Sequence, residues 1–382
     1  MARFSIVVPT YNRASLLQHS LPTALEQTFD DYEIVVSNNA STDETAEVLS
    51  GFSSSRLRVV RPERPLSMVD HWEFALGHAT GDWVLFLCDD DALLPNCLAR
   101  LDSVMREAGG HEVIQYYRFR YVHGDGARPD GDYVDLGSRV LHSLRTVESS
   151  RRLFTVFWRL SIEMPKLLNC AARSSLIARL RARHGRVFGL WAPDLQVGVK
   201  LLAATPRYLK TGPLMLWGDT LESYGSGAQR EPSRLLQFCR QFPEFDGTLP
   251  LSPYPGLLTV TNCIYDTLCR LKRDLGSDYA HLKIDPVRFR LHLLKDLERY
   301  VERGHAEYVE HRDRIRSDLR RLRLTHGLNP WWAWRRIAAR ASTVPEKIRR
   351  IAAGPKSSGP KQRHRFPNIH EAARFVGRLA GS

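Results

Sequence analysis

Three consecutive carboxylates, Asp89, Asp90 and Asp91, follow directly on an apolar run at residues 83–88. Packed like charges raise one another's pKa and repel, so acids at the end of a buried strand point to a divalent cation or a cationic ligand. A solvated acidic turn is the other reading of the triplet taken alone. Two more stretches set polar groups after apolar runs. These are Pro9-Thr10-Tyr11-Asn12-Arg13, and the segment 38–44 that begins with Asn38 and Asn39. Far downstream, Trp191-Ala192-Pro193-Asp194 places an acid at the mouth of a helix, where it can serve as an N-cap or as a base.

Holding these groups together requires strands and helices in alternation. Residues 4–8 read as a buried strand, and 14–27 as a helix that Pro22 should kink or divide. Strands follow at 32–37 and 57–60, a helix at 68–79, the strand at 83–88, a helix from Pro95, and a strand at 111–117. This alternation predicts an α/β fold with a mostly parallel, doubly wound sheet. Such sheets bind ligands beyond the carboxyl ends of their strands, so the three polar loops should meet on one face.

The segments VVPTYNR, SNNASTD and GDWVLFLCDDDALLP, in that order, resemble the nucleotide-sugar half of a family 2 glycosyltransferase with the GT-A fold. The resemblance covers residues 4–100, and more weakly reaches residue 225. It implies an inverting transferase that uses a nucleoside-diphosphate sugar, with Mn2+ or Mg2+ as cofactor. By the same resemblance Pro9, Thr10, Tyr11, Asn12 and Arg13 hold the base and ribose, and Asn38 reads the base edge. Asp89 and Asp90 contact the donor, and Asp91 binds the metal with Asp89 as the other acid of the DxD pair. Asp194 is the general base that deprotonates the acceptor hydroxyl. The chain departs from the family at two points: Asn38-Asn39 stands where members commonly carry two acids, and Cys88 where many carry the first acid of DSDD. The chemistry agrees with the resemblance. Departure of a nucleoside diphosphate builds negative charge that a divalent cation stabilises, and hard oxygen ligands suit Mg2+ or Mn2+.

The 382 residues divide into a glycosyltransferase-like domain at 1–235, a helical extension at 250–328 and a basic tail at 329–382. The domain itself splits into a donor half at 1–117 and an acceptor half at 118–235, and the tail includes a flexible linker at 354–366. Within the acceptor half, His123, Asp125 and Asp130 read as solvated turn residues. Arg173, Arg179, Arg181 and Arg183 form a basic face, either for an anionic acceptor or simply solvated. The last strand expected is 207–211. Residues 216–229 then read as a mobile lid, with Trp191, Trp217 and Tyr224 as acceptor-stacking groups. Helices are expected at 257–275 and 287–322, with a terminal one at 368–379 capped by Asn368.

Net charge is +13, and the last stretch from Trp331 carries twelve Lys or Arg against two acids. Trp331, Trp332 and Trp334 beside Arg335 and Arg336 suit either an anionic membrane surface or packing on the helical extension. No apolar run is long enough to span a bilayer. The expected location is therefore cytoplasmic, peripheral at the inner face of the plasma membrane, with a glycan or lipid-linked acceptor as partner. The six cysteines lack zinc spacing and read as free thiols. GxGxxG is absent, which excludes a dinucleotide dehydrogenase. The first loop has neither the glycines nor the lysine of a sugar nucleotidyltransferase. A catalytically silent basic interaction protein is the remaining alternative, although no nucleic-acid module is present.

Overall fold

The computed structural model describes residues 2–124, 130–136, 144–189, 192–221, 223, 227–242, 245–325 and 363–381. Its centre is β1 (Phe4–Thr10), buried at every position. Helix α1 (Ala14–Leu25) leads to β2 (Tyr32–Asn38), α2 (Thr45–Ser50), β3 (Leu57–Val60), α3 (Met68–Gly77) and β4 (Trp83–Phe86). These four strands are ordered β4-β1-β2-β3 and run parallel to one another. Crossovers through helices give this parallel order, as the alternation of patterns predicted.

Next come β5 (Ala92–Leu93), α4 (Cys97–Glu107), β6 (Val113–Val122), β7 (Tyr133–Asp135), β8 (Arg145–Glu148) and α5 (Ser149–Arg159). They are followed by β9 (Cys170–Arg173), α6 (Ser174–His184), α7 (Pro193–Ala204) and β10 (Arg207–Asp219). β9 joins the two halves, antiparallel to both β4 and β6. β10 runs parallel to β6 from Leu209 to Asp219, so most paired residues lie in parallel ladders, while β9 and the short strands β5, β7 and β8 pair antiparallel.

Period-two alternation sends β1 side chains to both faces. Phe4, Ile6 and Val8 pack with Leu17, Leu21, Leu98 and Leu101 on one side. Val7 packs with Trp72, Phe86, Leu176 and Leu195 on the other. The second core continues into α8 (Pro232–Cys239), α9 (Val260–Leu275), α10 (Pro286–Glu302) and α11 (Val309–Thr325), through Leu235, Leu268, Leu293 and Leu319. The helical extension therefore shares the main core of the transferase-like part.

Four features differ from the sequence expectations. α1 continues through Pro22, and the Glu26 amide bonds the Pro22 carbonyl at 3.0 Å, so the helix is not divided. The helix expected over 287–322 breaks at Gly304, whose φ of 92° is a left-handed conformation glycine adopts at no steric cost. Residues 216–219, expected in a lid, continue β10 beside β6. The expected linker ends early: β11 (Arg363–Arg365) pairs with β7, and α12 (Ile369–Gly381) packs on α1 and β5. Ile369, Ala372 and Val376 close a small core with Leu94, Tyr121 and Leu216. Glu26 anchors that helix through His370 and Arg374, and Asn368 accepts from the Glu371 amide as the expected cap.

Candidate active site

The ends of β1, β2 and β4 bring the three polar loops together. Thr10 Oγ1 donates to Asp89 Oδ2 at 2.9 Å. Arg13 Nη1 reaches Asp89 Oδ1 at 2.8 Å and Asp90 Oδ2 at 3.3 Å. The second loop is tied to the first: the Asn12 amide donates to Ser41 Oγ at 3.0 Å, and the Thr42 amide donates to Asn12 Oδ1 at 2.8 Å. Asp43 accepts from the Ala14 amide at 3.0 Å. Asn12 and Ala40 adopt positive φ values of 51° and 55°. For alanine that conformation is strained, and strain of this kind clusters where a ligand loop must hold a set shape.

Pro9 lies inside β1, paired with Ser37. The β4 ladder ends at Val7 opposite Phe86, so a residue without an N–H is tolerated there. Tyr11 projects with 46% of its surface exposed. The Asn38 side chain is buried and accepts from the Ser41 amide at 2.9 Å, while Asn39 clamps Leu66 through both its oxygen and its nitrogen. Both amides thus build the loop that was expected to meet a base.

The acid triplet is buried. Burial pushes Asp89 above the usual carboxylate range against the pull of Arg13. Burial and then Asp90 push Asp91 well above it, with Arg118 and the Gly218 amide opposing. Burial disfavours the Arg13 charge, but Asp89 and Asp90 outweigh that and hold the guanidinium above its ordinary value. Gly218 donates its amide to Asp91 Oδ1 at 2.8 Å, and a Cβ there would fall 1.7 Å from the Asp90 carbonyl oxygen. Only glycine permits that approach. His123, expected in a solvated turn, is buried, and its Nε2 lies 2.8 Å from the same Asp90 carbonyl.

Ligating atoms of Cys88, Asp90 and Asp91 lie within 4.8 Å of one another. Two buried carboxylates that repel each other fit Mg2+ or Mn2+, whose charge relieves the repulsion. Burial and the three acids push the Cys88 thiol well up, and a protonated thiol is a poor ligand for a hard cation. Thr10 and Arg13 engage Asp89, expected to pair with Asp91 at the metal, and Arg13 also reaches Asp90; the carboxylates whose ligating atoms converge are Asp90 and Asp91.

Asp194 lies in the first turn of α7 behind Pro193, with Ala192 as the N-cap. Its Oδ2 is 2.5 Å from Lys166 Nζ, and its Oδ1 accepts from the Leu195 amide at 2.8 Å. Burial raises the carboxyl, but Lys166, the Leu195 amide and Arg118 together hold it below its ordinary value. A third of the side chain is exposed. Arg118 helps to hold the carboxyls of both Asp91 and Asp194 down. Its guanidinium lies 5.7 Å from the Trp217 ring centre. Sequence reasoning missed Lys166 and Arg118. The alternation of Arg118 and Arg120 in YRFRY, two cations on one face of a strand, was the available signal for the second.

Trp191, Tyr224 and Asp125 lie outside the described residues. Asp130 meets Arg365 at the surface. In the expected basic face, Arg179 and Arg181 pair with Glu112 and Glu73, and Arg173 stacks over Trp83. Among the described residues, no helix is long and apolar enough to cross a membrane.

Residues 5–158 match the family model described as glycosyl transferase family 2. Over that stretch the chain is similar to family 2 glycosyltransferases. Within the glycosyltransferases, it is 32% identical over 114 residues to the GalNAc(5)-diNAcBac-PP-undecaprenol beta-1,3-glucosyltransferase of Campylobacter jejuni. That alignment covers 29% of this chain and 37% of the relative. It is 31% identical over 116 residues to the UDP-Glc:alpha-D-GlcNAc-diphosphoundecaprenol beta-1,3-glucosyltransferase WfgD of Escherichia coli, covering 29% and 46%. The chain thus spans less than half the length of these curated relatives. Among solved structures, it is similar to S. aureus TarS in complex with UDP-GlcNAc, at 18% identity and a TM-score of 0.49, over 78% of this chain and 89% of that one.

Proposed function

We propose that the chain is an inverting glycosyltransferase that moves a sugar from a nucleoside-diphosphate sugar to a hydroxyl of a glycan or lipid-linked acceptor in bacterial glycoconjugate synthesis. The observation that carries this reading is the meeting of three loops at one sheet edge around the buried acids. The two bacterial relatives, named as glucosyltransferases acting on undecaprenol-linked glycans, support the lipid-linked acceptor.

Asp90 and Asp91 would hold the divalent cation, which when bound stabilises negative charge on the leaving diphosphate. The chain's own residues do the rest. Arg13 fixes Asp89 and keeps the first loop against the acids. Tyr11, projecting from that loop, offers its ring to the nucleobase. Asp194, kept ionised by Lys166, takes the proton from the acceptor hydroxyl at a carboxylate oxygen. The acceptor oxygen then attacks the anomeric carbon opposite the departing diphosphate, and a single displacement inverts that centre.

The basic stretch around Trp331, Trp332 and Trp334 lies outside the described residues. Its composition supports contact with an anionic membrane surface, where lipid-linked acceptors reside. Transfer from UDP-glucose to an alkyl diphosphate-linked GlcNAc acceptor, with Asp91→Ala and Asp194→Asn beside the parent chain, tests the reading. Loss of about 100-fold or more in both variants is expected, and full activity in both would sink it.

A further inference from the structure

Beside the acid cluster lies a second site that the donor chemistry does not use. A cavity of about 280 Å³ opens there, and Arg120, Arg230, Arg299 and Arg303 line it against the single carboxylate of Asp219. Four parts of the fold build it. Arg120 comes from β6, Trp217 and Asp219 come from β10 in register with it, and Arg299 and Arg303 come from the end of α10. The turn before α8 contributes Gln229 and Arg230. This turn is bound to α10 twice: Tyr300 Oη donates to the Ala228 carbonyl at 2.9 Å, and Arg299 Nη1 to Gln229 Oε1 at 3.1 Å.

Asp219 is buried and accepts from Arg120 Nε at 3.0 Å, with Arg230 at 3.6 Å. Arg299 pairs with Asp296 at 2.5 Å. These contacts orient the guanidinium groups, and among the described residues four arginines stand against the carboxylates of Asp219 and Asp296. Oriented arginines in a concave site suit a phosphate group, whose oxygens accept from the guanidinium fork.

The position of the cavity carries the argument further. Trp217 and Asp219 flank Gly218, and the Gly218 amide is the group that donates to Asp91. On β6, Arg118 and Arg120 lie two residues apart and share one side of the strand, and the Arg118 guanidinium lies 5.7 Å from the centre of the Trp217 ring that lines the cavity. Neighbouring residues of two strands therefore serve the acid cluster and the cavity together.

We infer that this arginine-lined cavity binds a phosphate or diphosphate ester carried by the acceptor. The inference rests on the glycosyltransferase reading above and gives its acceptor a chemical class. It also assigns a role to the helical extension, which supplies Arg299 and Arg303.

The test is calorimetric titration of the full chain with inorganic pyrophosphate in EDTA, so that no divalent cation can bridge the probe to the acids. UDP with Mn2+ is titrated separately. Pyrophosphate binding is expected in the parent chain and should weaken at least 10-fold in Arg303→Gln, an exposed position at a helix end, and in Arg299→Gln. Farnesyl diphosphate supplies a second arm. Tighter binding than pyrophosphate assigns a lipid-linked source, and equal binding assigns a soluble phosphate ester. Either result supports the anion site. Pyrophosphate binding that is absent, or unchanged in both variants, while UDP with Mn2+ still binds, overturns the inference alone. Failure of UDP with Mn2+ to bind the parent chain counts against the glycosyltransferase reading instead.

Discussion

Lys166 Nζ stands 2.5 Å from Asp194 Oδ2, an ion pair between a buried lysine and the one acid at the mouth of α7. The pair keeps the carboxylate charged where burial alone would protonate it. Replacing Lys166 with methionine removes that support and raises the Asp194 pKa. The acid limb of kcat/KM should move to higher pH in Lys166→Met, with the alkaline plateau retained. An unmoved limb would show that Asp194 is not the titrating base.

Gly218 admits no side chain, because a Cβ would lie 1.7 Å from the Asp90 carbonyl oxygen. Gly218→Ala must shift β10 or the acid loop, and about 3 kcal/mol of lost stability is expected. Urea denaturation reads the loss, and UDP affinity in Mn2+ should fall in the same variant because the donor to Asp91 moves.

Asp91 sits buried beside Asp90, and without a cation the two charges oppose folding. Asp91→Asn keeps an oxygen for the Gly218 amide and removes a charge. In EDTA its melting temperature should equal or exceed that of the parent chain, whereas the rise that Mn2+ with UDP gives the parent should disappear. A variant that melts lower in EDTA and still responds to Mn2+ would contradict the fit of a cation to this pair.

His71 is buried under the second loop, with Nε2 2.9 Å from Ser37 Oγ, and burial lowers its pKa from 6.5 to about 4. The unfolded chain takes up this proton near pH 6.5 and the folded chain only near pH 4. Stability should therefore be fully present above pH 6.5 and fall by about 1.4 kcal/mol per pH unit below it, levelling near pH 4. Urea midpoints measured across this window should show that slope in the parent chain and a flatter one in His71→Asn.

The parallel half of the sheet was legible because each strand there is a short apolar run ending in a polar loop, and each helix carries its own stop. The three-loop site followed from the same pattern. Other features depend on partners far apart in sequence. Residues 216–219 look like a loop by their glycine and polar groups, yet they form a strand because β6 offers a full-length parallel edge. Lys166 acquires meaning only when the fold sets it beside Asp194. The contacts of Asp89 with Thr10 and Arg13 likewise join groups far apart in sequence, which no spacing rule within the triplet encodes. The docking of α12 on α1 is a long-range closure of the same kind, written in alanines and a glycine small enough to approach Pro95.

The central claim, that the loops around Asp91 form a metal-dependent nucleotide-sugar site, is tested most directly by calorimetric titration of the full chain with UDP. The account predicts binding in Mn2+ that is lost in EDTA and lost in Asp91→Ala. Binding of equal strength in all three conditions, or none in Mn2+, would contradict it.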